Sequence, residues 1–301
     1  MITILGPTAT GKTKLAARLA ALIDAEIISA DSRQVYKGMD IGTGKDLQDY
    51  VVEGRHIPYH LIDIVDPGYE YNVYEFQKDF LNSYREIRSR EREVILCGGT
   101  GLYLEAIIKR YPLHHVPPNP ALREKLNKKG MDELIGELAS KKGLHNVTDT
   151  TDRERLIRAL EIAEFYERYT EKAKQRMPAI PNTIFGISLE RKEIRERITK
   201  RLKQRLNEGM VEEAKALLDD GLKPEQLMFY GLEYKFLTLY ITGGISYDEM
   251  FKKLNTAIHQ FAKRQMTWFR RMERKGILIH WLPGQEPVEK NVKRILEIIQ
   301  A

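Results

Sequence analysis

The sequence predicts an α/β protein: a parallel sheet flanked by helices, with an inserted all-helical domain. Short β-branched runs alternate with helical patterns through the first hundred residues, which is typical of βαβ units. A glycine-rich phosphate-binding motif follows the first of these runs directly. A proline-rich stretch at 111–120 then breaks the alternation, and helical sequence without a strand signal follows it.

Six short runs carry the strand signal, and longer segments carry the helical one. The predicted strands are Ile2–Leu5, Glu26–Ser29, His60–Val65, Val94–Cys97, Thr183–Leu189 and Gly276–Leu282. The predicted helices are Lys12–Ile23, Phe76–Arg90 and Ala257–Lys275, together with the charged segment Ala121–Met177. We therefore expect a core of residues 1–112 and 180–301 and an inserted helical domain of residues 113–179.

Composition excludes several classes of protein. The 301 residues are 42% hydrophobic and 31% charged, which is typical of a globular protein and argues against disorder. No apolar run approaches the roughly 18 residues of a membrane span. The chain opens without a secretory signal, and its one cysteine, Cys97, cannot form an internal disulfide. We expect a cytoplasmic protein with no membrane association and no structural metal.

The charge of the chain is unevenly distributed. The formal net charge is +6, and residues 251–301 alone hold 11 basic and 4 acidic residues. A basic end of this kind favours a polyanionic partner such as a nucleic acid. Helix faces exposed to solvent are the alternative explanation.

The strongest motif is Gly6-Pro7-Thr8-Ala9-Thr10-Gly11-Lys12-Thr13, which matches G-x-x-x-x-G-K-[ST] at every fixed position. The two glycines let backbone N–H groups turn inward around an anion, Lys12 adds a point charge, and Thr13 offers a hydroxyl to Mg²⁺. The motif lies between a predicted strand and a predicted helix, so we expect a P-loop NTPase-like fold with a diphosphate or triphosphate site. No N-K-x-D segment follows, which argues against a GTPase.

An aspartate stands at the end of the second predicted strand. In open α/β sheets the ligand crevice lies beyond the carboxyl ends of the strands, so Asp31 should face the phosphate cradle. A carboxylate there can take a proton from an acceptor or hold Mg²⁺ through water, although it can also simply cap the next turn. Gln34 offers both a donor and an acceptor to an adenine edge.

Five segments in order resemble the tRNA dimethylallyltransferases, also called tRNA isopentenyltransferases. They are GPTATGKT, SADSRQVYKGMDIGT, CGGTGLY, DRERLIRALE and AKRQMTWFR, and the resemblance runs from Ile2 to about Trp281. It implies transfer of a dimethylallyl group from its diphosphate to N6 of adenosine 37, in tRNAs that read codons starting with U. The cradle would hold that diphosphate with Mg²⁺, and the tRNA would be gripped at its anticodon stem-loop by a monomeric enzyme.

The resemblance also assigns roles to individual residues. Asp31 would be the general base, and Thr100 would bind near the leaving oxygen. The flipped adenine would be held by the segment Asp31, Ser32, Arg33 and Gln34. Contacts to the RNA would come from Arg123, Arg155 and Arg158 of the insertion and from Lys263 and Arg264 of the last long helix. Read without the family, the arginines of the insertion are ordinary helix charges with Glu154 and Glu161 as partners. The helix Ala257–Lys275 has an apolar stripe that includes Gln265. Its opposite side is a basic face that suits either solvent or an RNA backbone, made of Lys263, Arg264, Arg270, Arg271 and Arg274.

The sequence departs from the family pattern at the donor end of the site. Leu232 and Glu233 stand where the family has an aromatic and a basic residue, with Lys235 as a candidate replacement. His259 stands in place of an arginine and could still meet a phosphate, and Asp46 in place of a proline.

Three other functions fit parts of the same pattern. An adenylate isopentenyltransferase shares the core but uses a free nucleotide, and it would not need the helical insertion. A P-loop small-molecule kinase would place ATP in the cradle and use Asp31 as its base. A non-catalytic, nucleotide-dependent RNA-binding module would not require the Asp31 carboxylate.

Overall fold

The computed structural model describes residues 1–141, 152–169 and 176–300. Two compact units make up the chain: residues 1–109 with 180–301, here called the core unit, and residues 110–179, here called the helical unit. The division falls beside the boundaries at 113 and 179 expected from the proline-rich stretches. No helix in the described ranges is both long and apolar enough to cross a membrane.

A six-stranded parallel sheet forms the centre of the core unit, in the order β5-β2-β6-β1-β7-β8. Its strands are β1 Ile2–Leu5, β2 Ala25–Ala30, β5 Tyr59–His60, β6 Glu93–Gly98, β7 Thr183–Ser188 and β8 His280–Pro283. A separate hairpin pairs β3 Val51–Val52 with β4 Arg55–His56. This sheet confirms the predicted α/β fold with parallel strands.

Helices surround the sheet and continue into a C-terminal helical layer. The helices of the first half of the core unit are α1 Lys12–Ile23, α2 Val73–Ser89 and α3 Gly101–Ile108. The helical unit contributes α4 Pro120–Asn127, α5 Met131–Lys141 and α6 Arg153–Arg168. The chain then forms α7 Arg191–Asn207, α8 Met210–Asp219, α9 Pro224–Phe229, α10 Leu232–Ile241, α11 Tyr247–Arg274 and α12 Val288–Gln300. Parts of Ala121–Met177, predicted to be helical, lie outside the described residues.

The apolar residues sort into clusters that explain this arrangement. One cluster packs α1 and α12 against the sheet, with Leu15, Leu19 and Ile295 fully or almost fully buried. A second cluster packs the five helices α7, α8, α9, α10 and α11 against the segment after β2, through side chains such as Tyr36 and Tyr234. Within the helical unit, α4, α5 and α6 enclose a small core of their own around Leu134 and Leu156. Burial of these faces is the main force holding each unit together.

Two strand predictions need correction. The strand expected at His60–Val65 is wrong beyond its first residue, because Leu61 and Asp63 have φ values of 61° and 56°, which no strand residue adopts. Val65 forms a single isolated parallel bridge to Tyr36, outside the strands of the sheet. The last strand begins at His280 rather than Gly276, where a φ of 85° instead ends the turn after α11.

The long helix α11 begins ten residues earlier than its apolar stripe predicted. Ser246 caps it, accepting a hydrogen bond from the Glu249 N–H, while Glu249 bonds back to the Ser246 N–H. This reciprocal capping box satisfies N–H groups that the first helical turn leaves without partners. The extra turns lie in the C-terminal helical layer. One helix therefore extends from that layer to the carboxyl edge of the sheet, where Gln265 contacts Gly99.

Candidate active site

Three loops meet at the carboxyl edge of the sheet because β1, β2 and β6 are neighbours. Leu5 and Ala30 both lie opposite Gly98 in the strand register. The chain therefore leaves these strands side by side, into the P-loop, the Asp31 segment and the Gly99–Thr100 turn. A Cβ on Gly98 would lie 2.3 Å from the Ala30 carbonyl oxygen, so only glycine fits at this crossing.

The P-loop has the backbone that an anion cradle requires. Ala9 and Gly11 adopt left-handed conformations, with φ values of 63° and 81°, and Gly11 directly precedes the first turn of α1. The Lys12 ammonium donates a hydrogen bond to the Pro7 carbonyl at 2.7 Å, and the Thr10 hydroxyl donates to the same oxygen at 2.8 Å. These bonds close the loop, which leads directly into the N-terminus of α1, and an anion is stabilised at a helix N-terminus.

The pKa of Lys12 is lower than that of an ordinary lysine. Burial lowers its pKa to about 8, and the positive charge of Arg201 adds to that shift while Asp31 opposes it. A bound diphosphate would reverse the shift, because two negative phosphates favour the charged ammonium. The charge on Lys12 is therefore coupled to anion binding near neutral pH.

Asp31 and Thr100 lie on the neighbouring loops that follow β2 and β6. The Thr100 hydroxyl oxygen accepts a hydrogen bond from the Ser32 N–H at 3.0 Å, and Asp31 Oδ1 accepts one from the Arg33 N–H at 2.9 Å. The Thr100 hydroxyl does not cap α3, although Thr100 occupies the N-cap position. A carboxylate and a hydroxyl thus stand on adjoining loops beside the cradle, each fixed by a backbone contact.

Gln265 joins the P-loop to the Thr100 loop. Its Oε1 accepts a hydrogen bond from the Thr8 N–H at 2.9 Å, and its Nε2 donates one to the Gly99 carbonyl at 2.9 Å. The side chain is 7% exposed. The sequence placed Gln265 in the apolar stripe of α11, and its polarity at a buried position was the one signal that it had another task.

The segment between Asp31 and β3 is held by the charged side chains of Lys45 and Glu213. Lys45, 1% exposed, donates to the Tyr36 carbonyl at 2.7 Å and pairs with Asp40 and Asp63. From α8, the Glu213 carboxylate accepts hydrogen bonds from three consecutive amides of this loop and from the Tyr234 hydroxyl. These contacts fix the loop that follows Asp31, and neither was predicted from sequence.

Comparison with known proteins identifies the family. A family model described as IPP transferase matches residues 34–272. The chain is 57% identical to tRNA dimethylallyltransferase 2 of Phocaeicola vulgatus, over 99% of this chain and 97% of that one. It is 54% identical to tRNA dimethylallyltransferase 2 of Porphyromonas gingivalis, over 100% of this chain and 99% of that one.

The chain belongs to the IPP transferase family.

Solved structures agree with the fold. A tRNA isopentenylpyrophosphate transferase from Bacillus halodurans matches with a TM-score of 0.71 and 32% identity, covering 99% of this chain and 95% of that one. A eukaryotic dimethylallyltransferase acting on tRNA shares the fold, with a TM-score of 0.77, 22% identity, and coverage of 100% of this chain and 79% of that one. The resemblance drawn from the five sequence segments is therefore confirmed.

Two positions that depart from the family pattern lie near cations of α7. Burial raises the pKa of Glu233, while the charges of Arg205 and Arg201 act in the opposite direction. Both arginines pair with Asp46, the residue that stands in place of the family's proline. Lys235, suggested as the replacement cation, is exposed. The positive charge of Arg201 is near enough to lower the pKa of Lys12.

His259 and Gln34 make internal contacts in this structure. Nε2 of His259 lies 3.2 Å from the Arg195 carbonyl oxygen and 3.3 Å from the Thr199 hydroxyl. Gln34 is 9% exposed; its Oε1 accepts from the Ser29 hydroxyl and its Nε2 donates to the Gly44 carbonyl, both at 3.0 Å. The expected contacts of Gln34 with adenine and of His259 with phosphate stay predictions.

Of the basic residues predicted to bind tRNA, those of the helical unit differ in their surroundings. Arg123 and Arg158 both donate hydrogen bonds to the carboxylate of Glu161, which is 3% exposed. Burial alone would raise the pKa of Glu161, but hydrogen bonds from Arg123, the Asn119 N–H and Arg158 lower it to about 2. Arg155 is exposed and lies 3.5 Å from Asp152.

The basic face predicted on α11 is exposed as expected, except at Arg271. Lys263 and Arg264 are exposed, as is Arg270. Arg271 instead is half-buried: it pairs at 2.7 Å with the fully buried Glu105 of α3 and lies over the Trp268 ring at 4.1 Å. Arg33, from the segment expected to hold the base, lies 5.6 Å from the Phe229 ring centre.

The residues present fit a magnesium ion held through the diphosphate. The Thr13 hydroxyl is half-buried and has no hydrogen-bond partner among the described residues. No group of three or more His, Cys, Asp or Glu side chains in those residues forms a metal cage. Mg²⁺ is commonly bound by few protein ligands and several phosphate oxygens, so the loop suits an ion that arrives with its diphosphate.

Proposed function

We propose that this protein transfers the dimethylallyl group of dimethylallyl diphosphate to N6 of adenosine 37, in tRNAs that read codons starting with U. The carrying observation is the meeting of three loops at one sheet edge: a P-loop, Asp31 and Thr100. Membership in the IPP transferase family supports the reaction class, and the names of the relatives at 54–57% identity support tRNA as acceptor. The donor's diphosphate explains a P-loop that no base-reading motif accompanies.

In this proposal Asp31 takes the acceptor proton. N6 of adenine is a weak nucleophile, so its proton must leave as nitrogen bonds to C1 of the allyl group. The Arg33 N–H holds Oδ1 of Asp31, which fixes the direction of the carboxylate. The C1–O bond breaks in the same displacement, and the electron pair leaves with the diphosphate.

The cradle stabilises that leaving group. Charge grows on the diphosphate as the C1–O bond lengthens, and Lys12 with the loop N–H groups lies where it accumulates. A magnesium ion on Thr13 would supply further positive charge when bound. In this proposal Thr100, whose hydroxyl oxygen accepts a hydrogen bond from the Ser32 N–H, donates its hydroxyl hydrogen toward the leaving oxygen.

The acceptor has to leave its stack to reach these groups. Enzymes that modify a base generally extrude it into a pocket, which costs a few kcal/mol of stacking. We assign the approach to adenine to Asp31, Ser32, Arg33 and Gln34. Backbone contacts to the anticodon stem-loop are assigned to Arg123, Arg155 and Arg158 and to Lys263 and Arg264, in a monomeric cytoplasmic enzyme.

A transfer assay with three acceptors tests the proposal. Radiolabelled dimethylallyl diphosphate and Mg²⁺ are offered with unmodified tRNA carrying A36-A37-A38, the same tRNA with G37, and free AMP. We expect label on the A37 tRNA alone. Label on AMP would instead favour an adenylate isopentenyltransferase, and phosphate transfer from ATP without any prenyl transfer would favour a small-molecule kinase.

A further inference from the structure

Gln265 is the one side chain of α11 that bonds to two separate loops of the site. Its partners, the Thr8 N–H and the Gly99 carbonyl, lie 257 and 166 residues away in sequence. A neutral amide can accept at one end and donate at the other, and both ends are used here at 2.9 Å. An isosteric apolar or charged side chain cannot make both bonds.

The space around this bridge is fully occupied. A Cβ added to Gly99 would lie 2.5 Å from Nε2 of Gln265 and 3.3 Å from the Gly6 carbonyl oxygen. The P-loop, the Thr100 loop and α11 therefore approach one another closely at Gly99. The Gln265 side chain joins Thr8 of the P-loop to Gly99 of the Thr100 loop at this point.

Neighbouring turns of α11 hold the Thr100 side of the bridge. One turn after Gln265, the Trp268 ring packs so closely on Gly101 that a Cβ there would lie 2.5 Å from it. One turn further, Arg271 pairs with Glu105 of α3 at 2.7 Å. The Thr100 loop is thus attached to α11 at three successive turns, whereas the P-loop is attached through Gln265.

We propose that Gln265 is a positioning residue that sets the distance between the diphosphate cradle and the Thr100–Asp31 side of the site. The inference rests on the proposed function. Without Gln265, the diphosphate would still be bound by the other loop amides and by Lys12. Donor affinity therefore depends little on the bridge. Transfer depends on it strongly, because a misplacement of about 1 Å between reacting groups can cost roughly 100-fold in rate.

The test compares Gln265→Met and Gln265→Glu with Gln260→Met, an exposed glutamine on the same helix as control. Methionine keeps the length and removes both hydrogen bonds. Glutamate keeps the acceptor but turns an oxygen toward the Gly99 carbonyl. We measure the single-turnover transfer rate, the Kd of pyrophosphate, the Kd of tRNA and the melting temperature.

We expect both Gln265 variants to lose about 10- to 100-fold in transfer rate, with both Kd values near those of the wild type. Gln265→Glu should recover relative to the wild type as pH falls, because the protonated carboxyl donates to Gly99 as the amide does; Gln265→Met should not. An unchanged rate would overturn the inference. So would a rate loss matched by equal losses in pyrophosphate affinity and melting temperature, which is the result of a purely structural role.

The wild type serves as the separate check on the proposed function. If it transfers no label to tRNA, the proposed function is wrong whatever Gln265 does. If it transfers label and the Gln265 variants behave as Gln260→Met does, only the positioning role is wrong.

Discussion

At the scale of single residues, the site depends on groups whose chemistry is altered by burial. Lys12 is the clearest example, since its pKa of about 8 lies close to working pH. Asp31 and Thr100 are each held by a backbone contact. The strand-end rule predicted a site position for Asp31, and the family resemblance predicted one for Thr100. The partners of Gln265, Lys45 and Glu213 were not predictable, because a polar residue in a helix or loop gives no sequence sign of the distant group that it will contact.

Diphosphate binding should weaken above pH 8. The Lys12 side chain carries its positive charge below its pKa and loses that charge as the pH rises above it. The Kd of pyrophosphate should therefore rise about tenfold between pH 7 and pH 9. Calorimetric titration at several pH values measures this. Lys12→Arg is the matched control, since its guanidinium stays charged throughout and its Kd should not follow that rise. A wild-type Kd independent of pH would contradict the role given to Lys12.

Thr100 allows a second test at this scale. Thr100→Val keeps the shape and removes the hydroxyl, so the Ser32 N–H loses its acceptor and the leaving oxygen loses a donor. We expect a rate loss of about 10- to 1000-fold, as is usual for removing one such donor. Thr100→Ser keeps the hydroxyl and should retain most of the activity. Equal rates for Thr100→Val and Thr100→Ser in single-turnover assays would show that the hydroxyl is not used.

At the scale of elements, the sequence predicted the strands that carry the site better than the segments between them. β1, β2 and β6 are short runs rich in aliphatic residues, and all three were predicted as strands. The segment after β5 has β-branched residues too, but left-handed conformations at Leu61 and Asp63 keep it out of the sheet. Such conformations are set by tertiary contacts, including the bond of Asp63 to Lys45, and are not visible in local composition.

The helical unit provides an element-scale prediction. Glu161 is buried and bonded to two arginines, so Glu161→Gln should destabilise this unit by roughly 3 kcal/mol, the usual cost of breaking a buried ion pair. The lowered pKa of Glu161 means that its stabilising effect is complete above about pH 4.5 and is lost as pH falls toward 2. The difference between wild type and variant should therefore narrow between pH 5 and pH 3.

Hydrogen exchange in α4 and α6 of the full chain measures this difference. Glu154→Gln, on the exposed side of α6, is the control and should leave exchange unchanged. Arg123→Ala should resemble Glu161→Gln, whereas Arg155→Ala should leave exchange unchanged, because Arg123 is bonded to Glu161 and Arg155 is not. Normal protection in Glu161→Gln would contradict the structural role of this cluster.

At the scale of the whole molecule, the basic C-terminal charge predicted from sequence is partly used inside the protein. Arg271 neutralises Glu105, while Lys263 and Arg264 remain exposed and free to meet a phosphate backbone. Binding that rests on phosphate contacts releases counterions, so its salt dependence counts those contacts.

Lys263→Ala with Arg264→Ala should weaken tRNA binding and flatten its salt dependence. The magnitude of the negative slope of log K against log salt should decrease by about 1 to 2, because each phosphate contact contributes roughly 0.7 to 0.9 to it. Filter binding at several salt concentrations measures it. Lys290→Ala is the control, since Lys290 lies on α12 rather than α11 and is paired with Glu286. A slope unchanged in the double variant would remove α11 from the RNA contact.

The central claim is that Asp31 deprotonates N6 of adenosine 37 while the P-loop holds the departing diphosphate. The most direct measurement is single-turnover transfer to A37 tRNA by the wild type and by Asp31→Asn, with the product located by mass spectrometry of digested tRNA. We predict dimethylallyl on N6 of A37, a rate lowered about 100- to 10,000-fold in Asp31→Asn, and an unchanged Kd for pyrophosphate. Transfer by Asp31→Asn at the wild-type rate, or a product modified at another nucleotide, would contradict the account.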